Sequence, residues 1–262
     1  MTYLIAAVLG VIQGLTEFLP VSSTAHLLIA GRLFGYEDPA FTVMIQLGSV
    51  LAIMWLYRAK IAAVVRGLGS DPDARRFALM VIVGSLPALA AGALLADFVQ
   101  TILFESLRVI AIALIVGGVL MLLIERLRPA PDVLDAEQTP VGRAFGIGLC
   151  QMLALVPGVS RSGATIMGAM LLRLDRPAAA EFSFFLAMPL LTAAFAYQFV
   201  DVGATLEAGR AAEIAVGFVA AFISAAVVVR PFLGFVRRAG FAPFAWYRIV
   251  AGAAILALFP AG

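Results

Sequence analysis

The sequence predicts an all-α polytopic membrane protein built from two inverted repeats, each a re-entrant broken helix followed by three transmembrane helices. Its composition, its long apolar segments and two apolar segments interrupted by proline support this prediction. Of the 262 residues, 63% are hydrophobic and 13% are charged, and the mean hydropathy is +1.05. A soluble domain is about 45–50% apolar and about 25% charged. A soluble α/β enzyme and a disordered chain are therefore both excluded.

Six segments are apolar enough, and close enough to the roughly 20 residues that a spanning helix needs, to be membrane helices. They are 41–57, 77–96, 109–125, 181–200, 214–230 and 243–260.

Two further apolar stretches are each interrupted by polar residues. Residues 1–34 are broken at Pro20, and residues 144–172 are broken at Pro157. Irregular backbone at membrane depth must be buried in protein or line a wet cavity. Interrupted segments at matching places in two halves are a pointer to a binding site, so we expect the site at these two breaks.

The breaks divide one integral-membrane domain, residues 1–262, into repeat one (1–125), a linker (126–143) and repeat two (144–262). If both broken segments are re-entrant, 13 Lys and Arg residues share one side of the membrane and three lie on the other. The positive-inside rule places the basic side in the cytoplasm. Three spans per half is an odd number, so the two halves must be inverted.

Three further counts exclude whole classes of partner and site. The net charge is only +2, which argues against a nucleic-acid partner. Cys150 and His26 are the only residues of their types, so the chain has no intramolecular disulfide, no cysteine-based zinc site and no histidine cluster for a metal.

Gln13 and Glu17 are the polar residues that precede the first break. They lie four residues apart and therefore on one helical face. Together they could hold a divalent cation, or Glu17 could orient or deprotonate a nearby hydroxyl. The structural alternative is an ion pair between Glu17 and Arg161 that satisfies both charges.

Ser22, Ser23 and Thr24 follow Pro20 at the start of the second half-helix. One of them is expected to cap that helix, since Ser and Thr are favoured caps, but three hydroxyls exceed what a cap needs. His26 lies three residues after Ser23, so its imidazole can reach the same face. We favour a functional role for His26 over a structural one because it lies beside this hydroxyl cluster.

The run from Pro157 to Thr165 carries the strongest local signal. Ser160, Arg161 and Ser162 open a helix there, and the free N–H groups at a helix N-terminus suit a phosphate. The guanidinium fork of Arg161 matches phosphate oxygens. A helix cap with a structural Arg–Glu pair is the alternative. The two breaks together place four kinds of group inside the membrane: an arginine, hydroxyls, an imidazole and a carboxylate. This combination indicates phosphoryl transfer on a lipid phosphate.

The remaining charged residues are interpreted as structural, and Glu181 and Ser183 keep a lesser potential as site residues. Arg248 is expected near the cytoplasmic end of the last span, with its head group reaching toward the interface. Glu181 and Ser183 open the span that follows the second break.

These motifs resemble the undecaprenyl-pyrophosphate phosphatase, or bacitracin-resistance, family of bacterial inner membranes. The resemblance covers essentially the whole chain. Its motifs here are Gln13 to Glu17, Phe18 to His26 and Pro157 to Thr165, with support from Ile45 to Ser49 and Glu181 to Phe184.

The resemblance implies an undecaprenyl-diphosphate phosphatase that recycles the lipid carrier for envelope polymers, with associated bacitracin resistance. It also implies a multi-pass inner-membrane protein, a site open to the periplasm and dependence on a divalent cation, Mg²⁺ or Ca²⁺. Gln13 stands where many members have Glu, which weakens a metal site formed with Glu17. The lipid substrate and membrane lipids are the expected partners, and a homodimer is left open.

The resulting hypothesis assigns catalysis to Ser23, His26, Glu17 and Arg161. Ser23 is the preferred nucleophile, and His26 is the competing one. Phosphate binding is assigned to a larger set: Ser22, Thr24, Ser160, Arg161, Ser162 and Thr165. The alternative function is a lipid-phosphate transporter or flippase, because inverted repeats with broken helices also build alternating-access carriers.

The predicted topology can be tested with single cysteines. In a Cys150→Ser background, Asp73→Cys should react with a membrane-impermeant thiol reagent only from the cytoplasmic side. Arg210→Cys, on the opposite side, should react only from outside. Labelling of position 73 from outside would contradict the re-entrant arrangement.

Overall fold

The computed structural model describes residues 3–36, 38–98, 106–202 and 208–259, and over these residues its regular structure is helical. The predicted all-α class is therefore confirmed. The helices are α1 Tyr3–Thr16, α2 Ser23–Phe34, α3 Pro39–Leu56, α4 Arg58–Gly67, α5 Pro72–Phe98, α6 Leu107–Leu127, α7 Val141–Gln151, α8 Arg161–Leu171, α9 Arg176–Val202, α10 Ala208–Ala239 and α11 Ala242–Leu258.

Four of these helices, α5, α6, α9 and α10, are long and apolar enough to cross a membrane. Helices α3 and α4 meet the same requirement only as a pair, bent by 72° where they join. Helix α11 is apolar and has 17 residues, which is at the short end of the range for a membrane span. The predicted apolar segments thus coincide with helices, as expected for a multi-pass membrane protein.

Helix α4 corrects one expectation. The sequence predicts a loop over 58–76, but residues 58–67 form helix α4. None of the residues of α4 is buried. Basic residues such as Arg58 and Lys60 alternate there with apolar ones such as Ile61 and Val64. A short helix with this mixed surface is typical of segments that lie in the membrane interface.

The two breaks end in the same kind of serine cap. Helix α2 is capped by Ser22 and helix α8 by Ser160, and each serine has a φ of 70°. The side-chain oxygen of each accepts a hydrogen bond from the backbone N–H three residues on, at Ala25 and at Gly163. Left-handed φ is uncommon for a residue with a Cβ. The predicted serine capping is therefore confirmed, and both breaks contain a strained turn.

The short helices that lead into the breaks pack closely on long helices of the other half of the chain. Helix α1 lies against α10, and helix α7 lies against α5. Glycines permit this approach, since a Cβ on Gly10 would overlap the carbonyl oxygen of Gly217, and one on Gly148 would overlap that of Gly84. Small residues at such crossings allow van der Waals contact between helix backbones in a membrane.

The linker between the halves pairs with the loop that joins α8 and α9. Val133 forms a parallel β-bridge with Leu174, and both side chains are buried. The neighbouring Asp132 is exposed and pairs with Arg143 and Arg173. The Arg143 hydrogen bond lowers the pKa of the Asp132 carboxyl below its usual value. The linker therefore belongs to the packed structure.

The α7–α5 crossing predicts a steric effect at Gly148. Gly148→Ala should destabilise the protein by about 1–3 kcal/mol, because the new methyl group overlaps backbone that has little room to move. The measurement is the midpoint of thermal unfolding in detergent.

Gly234→Ala is the matched control, because no atom lies within 4 Å of the added Cβ there. This control should be neutral or slightly stabilising, since Ala is the better helix former. Equal midpoints for the two variants would contradict the close crossing.

Candidate active site

Both helix breaks line one cavity of about 310 Å³, so the predicted convergence of the two interrupted segments is confirmed. The walls are completed by Ala88 and Gly92 of α5 and by Leu190, Leu191 and Ala194 of α9. The polar side chains that line the cavity are Glu17, Ser22, Ser23, Thr24, Gln46, Gln151, Ser160 and Arg161.

The N-termini of α2 and α8 both begin at this cavity, since their caps, Ser22 and Ser160, line it. A helix N-terminus presents unpaired N–H groups and the positive end of the helix dipole. Two such ends together favour an anionic ligand. By contrast, a larger groove of about 510 Å³ beside α5 and α7 has an entirely apolar lining and offers an anion no hydrogen bond.

Ser23 and Gln13 meet at one carboxylate oxygen. The Ser23 hydroxyl donates to Oε2 of Glu17 over 2.8 Å, and the Gln13 amide donates to the same oxygen over 2.8 Å. All three side chains are buried or nearly so. A hydroxyl held against a carboxylate is the arrangement in which the carboxylate can remove its proton.

Arg161 is the first residue of α8 and crosses the cavity to the other break. Its Nη2 donates to Oε1 of Glu17 over 2.9 Å, and its Nη1 donates to the carbonyl oxygen of Ser183 over 3.1 Å. The guanidinium lies 5.7 Å from the ring centre of Phe18, within cation–π range. The Glu17–Arg161 ion pair weighed in the sequence analysis is therefore present, and it sits in the cavity wall.

The hydroxyls of the second break are engaged within the protein. Ser160 caps α8, and the hydroxyl of Ser162 donates to the carbonyl oxygen of Leu19 over 2.8 Å. Thr165 bonds to the carbonyl oxygen of Arg161 and lies 2.6 Å from the Ser183 hydroxyl. Ser162 and Thr165 are fully buried and do not line the cavity. The Ser162 contact joins the two breaks, and the Thr165 contact with Ser183 attaches α8 to α9.

His26 does not line the cavity, and its side chain contacts Tyr247 of α11. Its Nδ1 is 2.7 Å from the carbonyl oxygen of Ser22, so this nitrogen carries the proton. Its Nε2 is 2.5 Å from the Tyr247 hydroxyl, and the two rings are stacked. The structure shows no hydrogen bond from His26 to Ser23 or Glu17.

Arg248 corrects the sequence analysis. The expectation of an interfacial side chain is wrong, because only 1% of Arg248 is exposed. The guanidinium donates to the carbonyl oxygens of Pro20 and Gly158, each over 3.2 Å, so it contacts both breaks. It also bonds to two α6 carbonyls, of Ala113 and Leu114. A charged residue in an apolar segment should be treated as functional by default, and that rule could have found it.

The predicted cation ligands form a partial site. Gln13 keeps its amide oxygen without a partner among the described residues, while both oxygens of Glu17 accept hydrogen bonds. No group of three or more metal-binding side chains occurs in the part of the chain that the structure describes. A cation here would need ligands from a substrate.

The chain is similar to known proteins over almost its whole length. Residues 6–254 match the family model described as bacitracin resistance protein BacA. An undecaprenyl-diphosphatase of Cereibacter sphaeroides ATCC 17025 is 50% identical over 98% of this chain and 96% of its own length. Undecaprenyl-diphosphatase 1 of Agrobacterium fabrum is 50% identical over 95% of this chain and 93% of its own length. The Paracoccus denitrificans relative is 46% identical over 99% of this chain and 98% of its own length. The chain therefore belongs to the bacitracin resistance protein BacA family.

Proposed function

We propose that the chain hydrolyses undecaprenyl diphosphate to undecaprenyl phosphate and inorganic phosphate. The observation that carries this proposal is the contact of the Ser23 hydroxyl with Glu17, in a cavity that also holds Arg161. Phosphoryl transfer requires a nucleophile, a base and positive charge held in place, and here the positive charge comes from an arginine side chain and two helix N-termini. The names of the relatives agree with this chemistry.

Substrate binding rests on positive charge that is fixed in the protein. Arg161 lines the cavity in which the diphosphate would lie, and α2 and α8 begin at that cavity. The Nε of Arg161 has no partner among the described residues. Donors that are positioned before the reaction stabilise the charge of the transition state without reorganising.

The proposed reaction has two steps. The Ser23 oxygen attacks the terminal phosphorus while its proton passes to Oε2 of Glu17, 2.8 Å away. The bond to the bridging oxygen breaks, undecaprenyl phosphate leaves, and a phosphoserine forms. Water then attacks that phosphoserine and its phosphorus–oxygen bond breaks. Glu17 returns the proton to the Ser23 oxygen as inorganic phosphate leaves, which restores both the serine and the carboxylate. We favour Ser23 over His26 as nucleophile because the structure engages His26 with Tyr247.

A divalent cation would fit beside Gln13 and Glu17 once substrate is present. Mg²⁺ is usually bound by one or two carboxylates together with substrate phosphates. The unpartnered amide oxygen of Gln13 is available as a further ligand. The cation would neutralise charge on the phosphate oxygens.

We propose further that the two halves are inverted repeats. This is supported by the exchanged packing, in which α1 lies on α10 and α7 lies on α5. The shared serine cap with a φ of 70° also supports it. These features relate corresponding elements of the halves.

We place the protein in the bacterial inner membrane, with its cavity open to the periplasm. The cavity wall uses Ala88 and Gly92 of α5 and Leu190 and Ala194 of α9. These residues lie in the later halves of two helices that, by the charge-based topology, begin at the cytoplasm. Hydrolysis on that side would return the lipid carrier to envelope synthesis and account for bacitracin resistance.

Phosphate release in detergent micelles tests the function directly. The purified protein should release phosphate from farnesyl diphosphate, because an enzyme needs no sealed membrane whereas a carrier does. A chelator should reduce the rate, and Mg²⁺ or Ca²⁺ should restore it. Arg161→Ala is the negative control and should lose several orders of magnitude in rate. No phosphate release by the unaltered protein would refute the proposal.

Single-turnover kinetics separate the two candidate nucleophiles. Ser23→Ala should abolish the phosphoryl-enzyme step, because the attacking oxygen is gone, while His26→Ala should retain a measurable rate. Ser85→Ala, another buried serine that lies outside the cavity, serves as the matched control. Full activity of the Ser23 variant would remove that residue from the mechanism.

A further inference from the structure

Gln151 is a buried polar residue to which the sequence analysis assigns no role. It is the last residue of α7, it lines the cavity, and only 1% of it is exposed. Neither its amide nitrogen nor its amide oxygen has a hydrogen-bond partner among the described residues. A buried amide without partners destabilises the folded protein, so its presence needs a reason other than stability.

A comparison of the two breaks explains why this amide is unpartnered. Gln13 lies nine residues before the cap Ser22, and Gln151 lies nine residues before the cap Ser160. Four residues after Gln13 comes Glu17, whose carboxylate accepts the Gln13 amide. Four residues after Gln151 comes Leu155, which offers no acceptor. The second glutamine thus keeps both amide groups free beside the cavity.

We propose that Gln151 is a substrate-binding residue whose amide N–H groups donate to oxygens of the lipid diphosphate. The inference rests on the function proposed above and deepens it, because it names a contact for the diphosphate on the α7 side of the cavity. Arg161 contacts Glu17 and Ser183 from α8. Gln151 adds a neutral donor from a different helix, so the diphosphate is held from two sides.

An anionic ligand fits this position better than a cation does. The Arg161 guanidinium and the positive ends of two helices lie at the cavity and attract an anion. The carboxylate that the first break offers a cation, Glu17, is replaced in the second by Leu155. The amide nitrogen of Gln151 is therefore the group that a ligand would use here.

Gln151→Met tests the proposal, because methionine has a similar size and no hydrogen-bonding amide. The KM for farnesyl diphosphate should rise about ten- to a hundredfold, as expected for losing a hydrogen bond to a charged group, while kcat changes much less. The ligand-free variant should unfold at the same temperature or higher, because an unpaired buried amide has been removed. Gln151→Glu should bind more weakly still, since its carboxylate repels the diphosphate.

Ser49→Ala is the matched control. The Ser49 hydroxyl is also buried and without a partner among the described residues, but it does not line the cavity. This variant should leave KM unchanged. A merely structural role for Gln151 would lower the unfolding midpoint of Gln151→Met without raising KM, and that result would overturn the proposal.

A binding measurement keeps this test separate from the proposed activity. The methylene-bridged analogue of farnesyl diphosphate cannot be hydrolysed, and its binding can be read as a rise in the unfolding midpoint. The unaltered protein should be stabilised by the analogue, and Gln151→Met should require about ten- to a hundredfold more of it. Equal stabilisation of the two proteins would refute the role of Gln151, whether or not phosphate is released.

Discussion

The arrangement of the two breaks depends on the hydrogen bonds that the buried Arg248 guanidinium donates to both of them. A broken helix leaves carbonyl oxygens without partners, and at membrane depth these must be satisfied within the protein. Arg248 donates to Pro20 in one break and to Gly158 in the other, and it also bonds to two carbonyls of α6. Burying an unpaired charge costs several kcal/mol, and four carbonyl contacts offset that cost. One side chain thereby joins the first break, the second break and α6.

The site follows from this attachment. With both breaks held together, the N-termini of α2 and α8 open into one cavity, and Glu17 lies within hydrogen-bond distance of Arg161. The same carboxylate holds the Ser23 hydroxyl through its other oxygen. A single glutamate therefore connects the groups that we assign to nucleophilic attack and to phosphate binding. The hydrogen bonds of Ser162 and Thr165, which do not line the cavity, keep α8 in the required position.

Much of this arrangement could be predicted from local sequence. Pro20 and Pro157 indicate the breaks, and the serines that follow them predict helix caps that the structure confirms at Ser22 and Ser160. The loop expected after α3 is partly wrong, because α4 is a short amphipathic helix whose mixed surface resembles a polar loop in composition. The interfacial position expected for Arg248 is also wrong. An arginine in a last span can reach the interface or point inward, and local sequence does not distinguish the two because the surrounding residues are apolar in both cases.

The sequence by itself determined the apolar helices, the two breaks, their caps and the residue types available for phosphate chemistry, because these depend on composition and on contacts a few residues apart. Only the tertiary structure decided which groups meet. It placed Ser23, rather than His26, against Glu17, and it directed Arg248 to both breaks. It also left the Gln151 amide unpaired beside the cavity. Such pairings join residues up to 228 positions apart, and helix packing sets them.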